Sequence, residues 1–146
     1  MVQKQMLRLI YLSRVWGNMT NTQLDQILAE SRANNAKNKI TGLLCYGGTS
    51  FIQILEGPEA EVINLYASIV NDERHHGCQL LDIHITNKRI FDNWAMAYVH
   101  SSKADFDELS DVIEGAKKKH EQSVNEITLI LRRYLGQKIH LSSASV

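Results

Sequence analysis

Hydrophobic residues fall into short runs separated by polar, glycine-bearing stretches, and the spacing within each run predicts its element. Residues 6–13 are apolar on both faces, with Leu7, Leu9, Tyr11 and Ser13 on one and Met6, Ile10 and Leu12 on the other. That pattern suits a central, covered strand. After a loop at 14–19, Thr20 and Gln23 form a capping box. Leu24, Ile27, Leu28 and Ser31 then repeat at helical spacing until Asn38 and Lys39. Asn34 and Asn35 continue that stripe onto its buried face. Residues 40–46 and 51–56 read as strands of a hairpin joined by Gly47-Gly48-Thr49-Ser50. Gly57-Pro58 opens a second helix, with Glu59 and Glu61 complementing its dipole and Val62, Leu65, Tyr66 and Ile69 as its apolar stripe. Residues 72–77 read as a polar loop and 80–86 as a fourth strand, with Leu81, Ile83 and Ile85 on one face. Residues 94–99 make a fifth, with Trp94, Met96 and Tyr98 on one face.

The order strand, helix, two strands, helix, two strands predicts an α+β fold, a ferredoxin-like βαββαββ sandwich with both helices over one face of a mixed sheet. Beyond Ser101 the pattern changes. Phe106, Leu109, Val112, Ile113 and Ala116 form one amphipathic stripe, and Val124, Ile127, Ile130, Leu131 and Tyr134 another. Two C-terminal helices are expected there, packed on the open sheet face or in a subunit interface. The chain thus divides into a core at 1–100 and a helical extension at 101–146.

Composition narrows the function classes. The 146 residues carry 16 basic and 16 acidic side chains, and only Lys117-Lys118-Lys119 gathers positive charge. A duplex-binding protein needs a basic face, so nucleic acid is not an expected partner. Cys45 and Cys78 lack metal-ligand spacing and read as small buried hydrophobes in a reducing compartment. No apolar run reaches spanning length and the start lacks a signal-peptide pattern, so no membrane contact and a cytoplasmic location are expected.

Gln53 is the residue that most needs an explanation. It sits mid-strand, facing the same way as Phe51 and Leu55. A buried amide without partners costs about 1–3 kcal/mol. A neighbouring side chain or a water satisfies it as well as a ligand does, and adjacent amides such as Asn34-Asn35 are commonly helix caps. Yet both asparagines and the Tyr11 phenol point at the same interlayer space. Four polar groups converging in one apolar layer describe a ligand pocket. Its occupant would be planar, with donors and acceptors along one edge.

Tyr11 in Leu-Ile-Tyr, Asn34-Asn35, Ile40-Thr-Gly-Leu-Leu, Phe51-Ile-Gln-Ile-Leu-Glu-Gly, Asp72-Glu-Arg-His-His and Trp94-Ala-Met together resemble a BLUF domain. That family comprises blue-light sensors using flavin, and the resemblance runs from about Leu7 to His100. It implies a non-covalently bound flavin, FAD foremost with FMN or riboflavin sharing the same ring, between the helices. By resemblance, Asn35 bonds the imide edge and Asn34 supports it. Gln53 lies between the ring and the Tyr11 hydroxyl. Ile27, Ser31, Leu44 and Phe51 line the ring, and Asp72, Arg74 and His75 lie near the ribityl and phosphate tail. Tyr11 is the implied donor of an electron and a proton, and Gln53 the amide that rearranges. Trp94 and Met96 match positions that pass the signal on; both also read as plain sheet core. Ala95 departs from the serine common in the family.

The resemblance further implies a photoreceptor rather than an enzyme, signalling through a homo-oligomer or a separate downstream protein. Competing readings are a ferredoxin-like hydrolase using Arg14, a flavin redox enzyme, and a ligand-binding module without photochemistry. The loop after Ser13 lacks the dense glycines that cradle an anion. A metal site at His75-His76 lacks a third ligand, so none is expected.

Overall fold

The computed structural model describes residues 5–92, 95–102, 104, 106, 107 and 111. Trp94, Leu109 and the helical stripes predicted beyond 111 lie outside the described residues. The elements are β1 (Met6–Val15), α1 (Asn21–Asn38), β2 (Thr41–Gly47), β3 (Ser50–Pro58), α2 (Glu59–Val70), β4 (His75–Thr86) and β5 (Ala97–Ser101). They form one five-stranded sheet in the order β4-β1-β3-β2-β5. Every neighbouring pair is antiparallel except β2 and β5, which are parallel. The predicted ferredoxin-like sandwich is the fold observed.

Local chemistry accounts for the helix limits. Thr20 caps α1 through Oγ1, accepting from the Gln23 amide at 3.2 Å, while Gln23 Oε1 accepts from the Thr20 amide at 2.9 Å. The helix ends where Lys39 turns left-handed at φ 58° and the Ile40 amide bonds back to Asn35 O at 2.9 Å.

Apolar residues on both sides of the strands give two cores. Leu7, Leu9, Tyr11, Leu44, Phe51 and Leu55 pack beneath Leu24 and Leu28 of α1 and Val62 of α2. On the opposite face Ile10, Leu43, Cys45, Ile52 and Ile54 pack with Leu81, Phe91 and Phe106. Phe106 sits tightly on β2, since a Cβ added to Gly47 would lie 2.7 Å from its side chain. The start of the C-terminal extension therefore covers part of the open sheet face. Gly42 admits no side chain either, because a Cβ there would stand 2.0 Å from the backbone oxygen of Ile54.

Four expectations need correction. Gly57 and Pro58 close β3 rather than open the helix, because Pro58 is extended at ψ 137° and α2 begins at Glu59. The polar stretch at 72–77 is not all loop: β4 begins at His75, with His75 and His76 opposite Val15 and Arg14. Polarity there reflects a rim strand that water reaches on one side, and Gly77 at φ 62° absorbs a break in register. Leu81 does not share a face with Ile83 and Ile85. A shift between Ile10 and Tyr11 leaves Leu81 as the extra residue of a bulge. It turns into the opposite-face core, while Ile83 and Ile85 stand across from Leu9 and Leu7 on the helix face. Finally, β5 starts at Ala97 rather than 94, so Ala95 and Met96 precede the strand.

Because β4 and β5 are at opposite rims, residues 87–96 must connect them past three intervening strands, roughly 19 Å at the usual strand spacing. Ile90 and Phe91 pack against the opposite-face core, whereas Met96 belongs to the helix-face core. This crossover links the two sides of the sheet.

Candidate functional site

Between the two helices and the sheet lies a cleft of about 190 Å³. Tyr11, Leu44, Phe51 and Gln53 form its floor from β1, β2 and β3. Ile27, Ser31, Asn34 and Asn35 line it from α1, and Leu65 and Ile69 from α2. Glu30, Asp72 and Arg74 mark its solvent rim, with His75 behind them. Every flavin-contact position inferred from the sequence lines this cleft, and Tyr11 joins them. Glu30, Leu65, Ser68 and Ile69 were not inferred as site residues. Leu65 and Ile69 were read as helix core, and their i, i+4 spacing cannot say whether the stripe faces sheet or ligand.

Strand register creates the central pair. Tyr11 and Gln53 are directly opposed across β1 and β3, and so share a face. The Tyr11 hydroxyl donates to Gln53 Oε1 in a short hydrogen bond. That fixes the amide's orientation and turns Nε2 the other way, towards Met96 Sδ at 3.5 Å. A thioether is a weak acceptor, so Gln53 Nε2 retains donor capacity for a carbonyl or ring nitrogen. Burial pushes the Tyr11 phenol well above its ordinary pKa, helped by nearby Cys78, Tyr66 and Asp72. The phenol therefore stays protonated and available as donor.

Other rings surround Tyr11. Tyr66 packs against it with centroids 5.3 Å apart, and His75 meets it edge-on at 6.4 Å. His75 is clamped at both nitrogens, Nε2 donating to Ile69 O at 2.5 Å and Nδ1 lying 2.8 Å from Ser13 Oγ. A carbonyl only accepts, so Nε2 carries a hydrogen. His76 instead stacks on Trp16 with centroids 3.8 Å apart, so the two histidines serve different neighbours. Among the described residues, no group of three or more His, Cys, Asp or Glu is arranged to hold a metal ion.

The two asparagines separate in role. Asn35 is 1% exposed and donates from Nδ2 to Ala95 O at 2.8 Å. Its second Nδ2 hydrogen and Oδ1 remain for a ligand edge. Asn34 lines the cleft from an exposed position, not the buried one its spacing predicted. Arg32 donates to Met96 O at 3.1 Å, so α1 holds both residues that precede β5. At the rim Arg74 donates to both Asp72 oxygens and, at 3.1 Å, to Glu30 Oε2. This guanidinium holds the Asp72 carboxyl below the usual carboxylate range, against the opposing effect of burial.

The donor set fits a flavin. Amide groups of Gln53 and Asn35 line the same cleft as the apolar Ile27, Leu44, Phe51, Leu65 and Ile69. This matches a planar ring with one polar and one apolar edge. The pattern of the BLUF family, sensors of blue-light using FAD, matches residues 6–97. The chain belongs to the BLUF family.

FAD is the flavin named for BLUF domains. The β subunit of a photoactivated adenylate cyclase from Euglena gracilis is 29% identical over 129 residues, 87% of this chain but 15% of that protein. The blue light- and temperature-regulated antirepressor BluF of Escherichia coli is 32% identical over 68 residues, 47% of this chain and 17% of its own. The chain thus spans a small part of these relatives' lengths. Structural agreement runs further: the dark state of the BLUF protein BlrB superposes with a TM-score of 0.70 at 28% identity, covering 93% of this chain and 98% of the other. The photo-activated state of BlsA gives 0.67 at 27% identity, covering 92% and 94%.

Proposed function

We propose that this BLUF domain senses blue light through Tyr11 and Gln53 and passes the signal through Met96 and the segment before β5. The observation that carries the reading is the chain of contacts from Tyr11 to Gln53 to Met96 at the floor of the cleft between helices and sheet. When bound, the flavin supplies blue-light absorption and the oxidising power of its excited ring. Tyr11 is the donor of an electron and its phenolic proton, and Gln53 Oε1 is that proton's first acceptor. Asn35, supported by Asn34, fixes the imide edge, and Ile27, Ser31, Leu44 and Phe51 hold the ring. Asp72, Arg74 and His75 border the tail.

Gln53 is the switch because its two ends are not equivalent. Rotating the amide turns Nε2 towards Tyr11 and Oε1 towards Met96 Sδ. Sulfur without a hydrogen cannot donate to that oxygen, so rotation breaks the Met96 contact. A tautomer of the amide changes the same bond. Either way the Gln53 rearrangement is felt at Met96, whose neighbours are held by α1. The signal thereby reaches β5 and the helical extension. Trp94, one step before Ala95, belongs to the same proposal.

The protein turns over no substrate on this reading. Its output passes to another copy of the chain or to a separate protein, as the name of the antirepressor relative suggests for that molecule. Among the described residues no helix is long and apolar enough to cross a membrane, and a cytoplasmic location belongs to the proposal. The test is an absorption spectrum of flavin-loaded protein before and after blue light. A reversible red shift is expected in the wild type and none in Gln53→Leu. A red shift of wild-type size in Gln53→Leu removes Gln53 from the mechanism.

A further inference from the structure

On the face of the sheet away from the cleft, Glu56 is wholly buried and collects hydrogen bonds from several directions. Its Oε1 accepts from the Phe91 amide at 2.5 Å and from Thr41 Oγ1 at 3.1 Å. Its Oε2 accepts from the Ile90 amide at 3.0 Å and from Arg8 Nε at 3.3 Å. Arg8, itself 3% exposed, reaches onward to Lys88 O at 2.8 Å. Arg89 ties the same stretch to Lys39 O at 2.7 Å and to Thr41 Oγ1 at 2.8 Å.

Strand register explains why one carboxylate can do this. Arg8, Glu56 and Thr41 are directly opposed on β1, β3 and β2, so they form a polar row across the sheet. The crossover from β4 to β5 passes this row with two backbone amides turned to the carboxylate. A buried carboxylate is costly unless charged and polar donors surround it. Here they do, and two of those donors are main-chain groups of residues 87–92, which lack regular secondary structure. Four positions after Phe91 comes Ala95, whose carbonyl accepts from Asn35, and next comes Met96, whose sulfur accepts from Gln53.

We propose that Glu56 is a positioning residue for the light switch: by clasping the Ile90 and Phe91 amides on the far face, it sets where Met96 meets Gln53 in the cleft. The proposal rests on the reading of Gln53 and Met96 above, and adds a second anchor to the one α1 supplies. It assigns the Glu that follows Gln53 three positions later in the same strand to the same machinery from the other side of the sheet.

Glu56→Gln keeps the shape but leaves a single carbonyl oxygen. Its amide hydrogens then face the Ile90 or Phe91 N–H, donor against donor. The test uses the full chain, compared with Val62→Ala, a helix-face core variant chosen to lower the melting temperature without removing any hydrogen bond of the crossover. In the flavin-free protein, hydrogen exchange at the Phe91 and Ala97 amides should quicken at least tenfold in Glu56→Gln while that at Ile54 stays put. With flavin bound, dark recovery of the red-shifted state should change at least threefold. Val62→Ala should leave both readouts at wild-type values. Wild-type exchange and recovery in Glu56→Gln overturn the proposal, as does an equal effect in Val62→Ala. If Glu56→Gln fails to fold, Glu56→Asp, which keeps the charge but shortens the reach, is read against the same criteria. Failure of the photochemical reading is separable: it would appear as a normal photocycle in Gln53→Leu, and leaves the exchange result of the flavin-free protein standing.

Discussion

Tyr11→Phe removes one oxygen atom from the most connected point of the cleft. The remaining phenyl ring keeps its place beside Tyr66, 5.3 Å away, so little packing changes. What disappears is the bond to Gln53 Oε1, at a residue only 5% exposed. A typical intramolecular hydrogen bond contributes about 1 kcal/mol, and an orphaned buried carbonyl raises the loss to about 3 kcal/mol at most. For a chain of 146 residues each kcal/mol lowers Tm by about 2–4 °C. Thermal unfolding of the flavin-free variant should therefore show a drop of that order. Flavin should still bind, since the cleft walls and both asparagines are intact. The light–dark difference spectrum, however, should lose its long-lived red-shifted component completely. A normal photocycle in Tyr11→Phe, or a flavin-free Tm equal to the wild type's, would refute the role given to this bond.

Further outcomes follow from other parts of the molecule. Gly42→Ala should destabilise by about 2 kcal/mol or more and lower the denaturant midpoint, because the clashing Ile54 oxygen belongs to sheet backbone and cannot yield; an unchanged midpoint contradicts the packing described. Asn35→Ala should weaken flavin affinity and quicken amide exchange at Ala97, read by titration and by mass spectrometry, since both the partner proposed for the imide edge and the Ala95 tether go. In Arg74→Gln the Asp72 carboxyl should titrate closer to its ordinary value of 3.8, seen by NMR. Its depressed value in the folded state means its contribution is present above pH 3.8 and lost as pH falls, so the variant's stability should depend less on pH in that acid range. Burial pushes the Tyr98 phenol up to about 12 from 10.0. Being raised on folding, it contributes stability below pH 10 that is lost as pH climbs towards 12. Tyr98→Phe should flatten the alkaline fall of the urea midpoint across that window; an equally steep fall in the variant assigns it to other groups.

The sequence was most legible where one period dominated. Capping at Thr20 and Gln23, the hairpin at Gly47-Gly48 and the apolar faces of β1 and β3 all reappear in the structure. Gln53 stood out because a lone amide in an apolar strand contradicts its surroundings, and its register partner Tyr11 could be found by face alone. Edges were harder to read. β4 looks like a loop in its first residues because a rim strand tolerates polar side chains, and the face of Leu81 depends on a bulge that period-two counting cannot see. Glu56 was invisible as a site residue. Its charge marks it as exposed by composition, and the donors that let it be buried come from distant residues, Arg8 and Thr41 on neighbouring strands and two amides of the crossover. The pairing of Arg74 with Glu30, 44 positions earlier, had no local signal at all.

The bulge at Leu81 bears on how copies of this chain can come together. β4 is long, lies at a rim and turns one line of backbone groups outward, which ordinarily invites strands from other molecules to extend the sheet. Its two register breaks, opposite Ile10/Tyr11 and Leu12/Arg14, divide it into short stretches out of phase with one another. An incoming strand could match a few backbone groups before falling out of step. Ile83 and Ile85, each at least 40% exposed on the helix side, can thus stay in water without turning this rim into a nucleus for fibres.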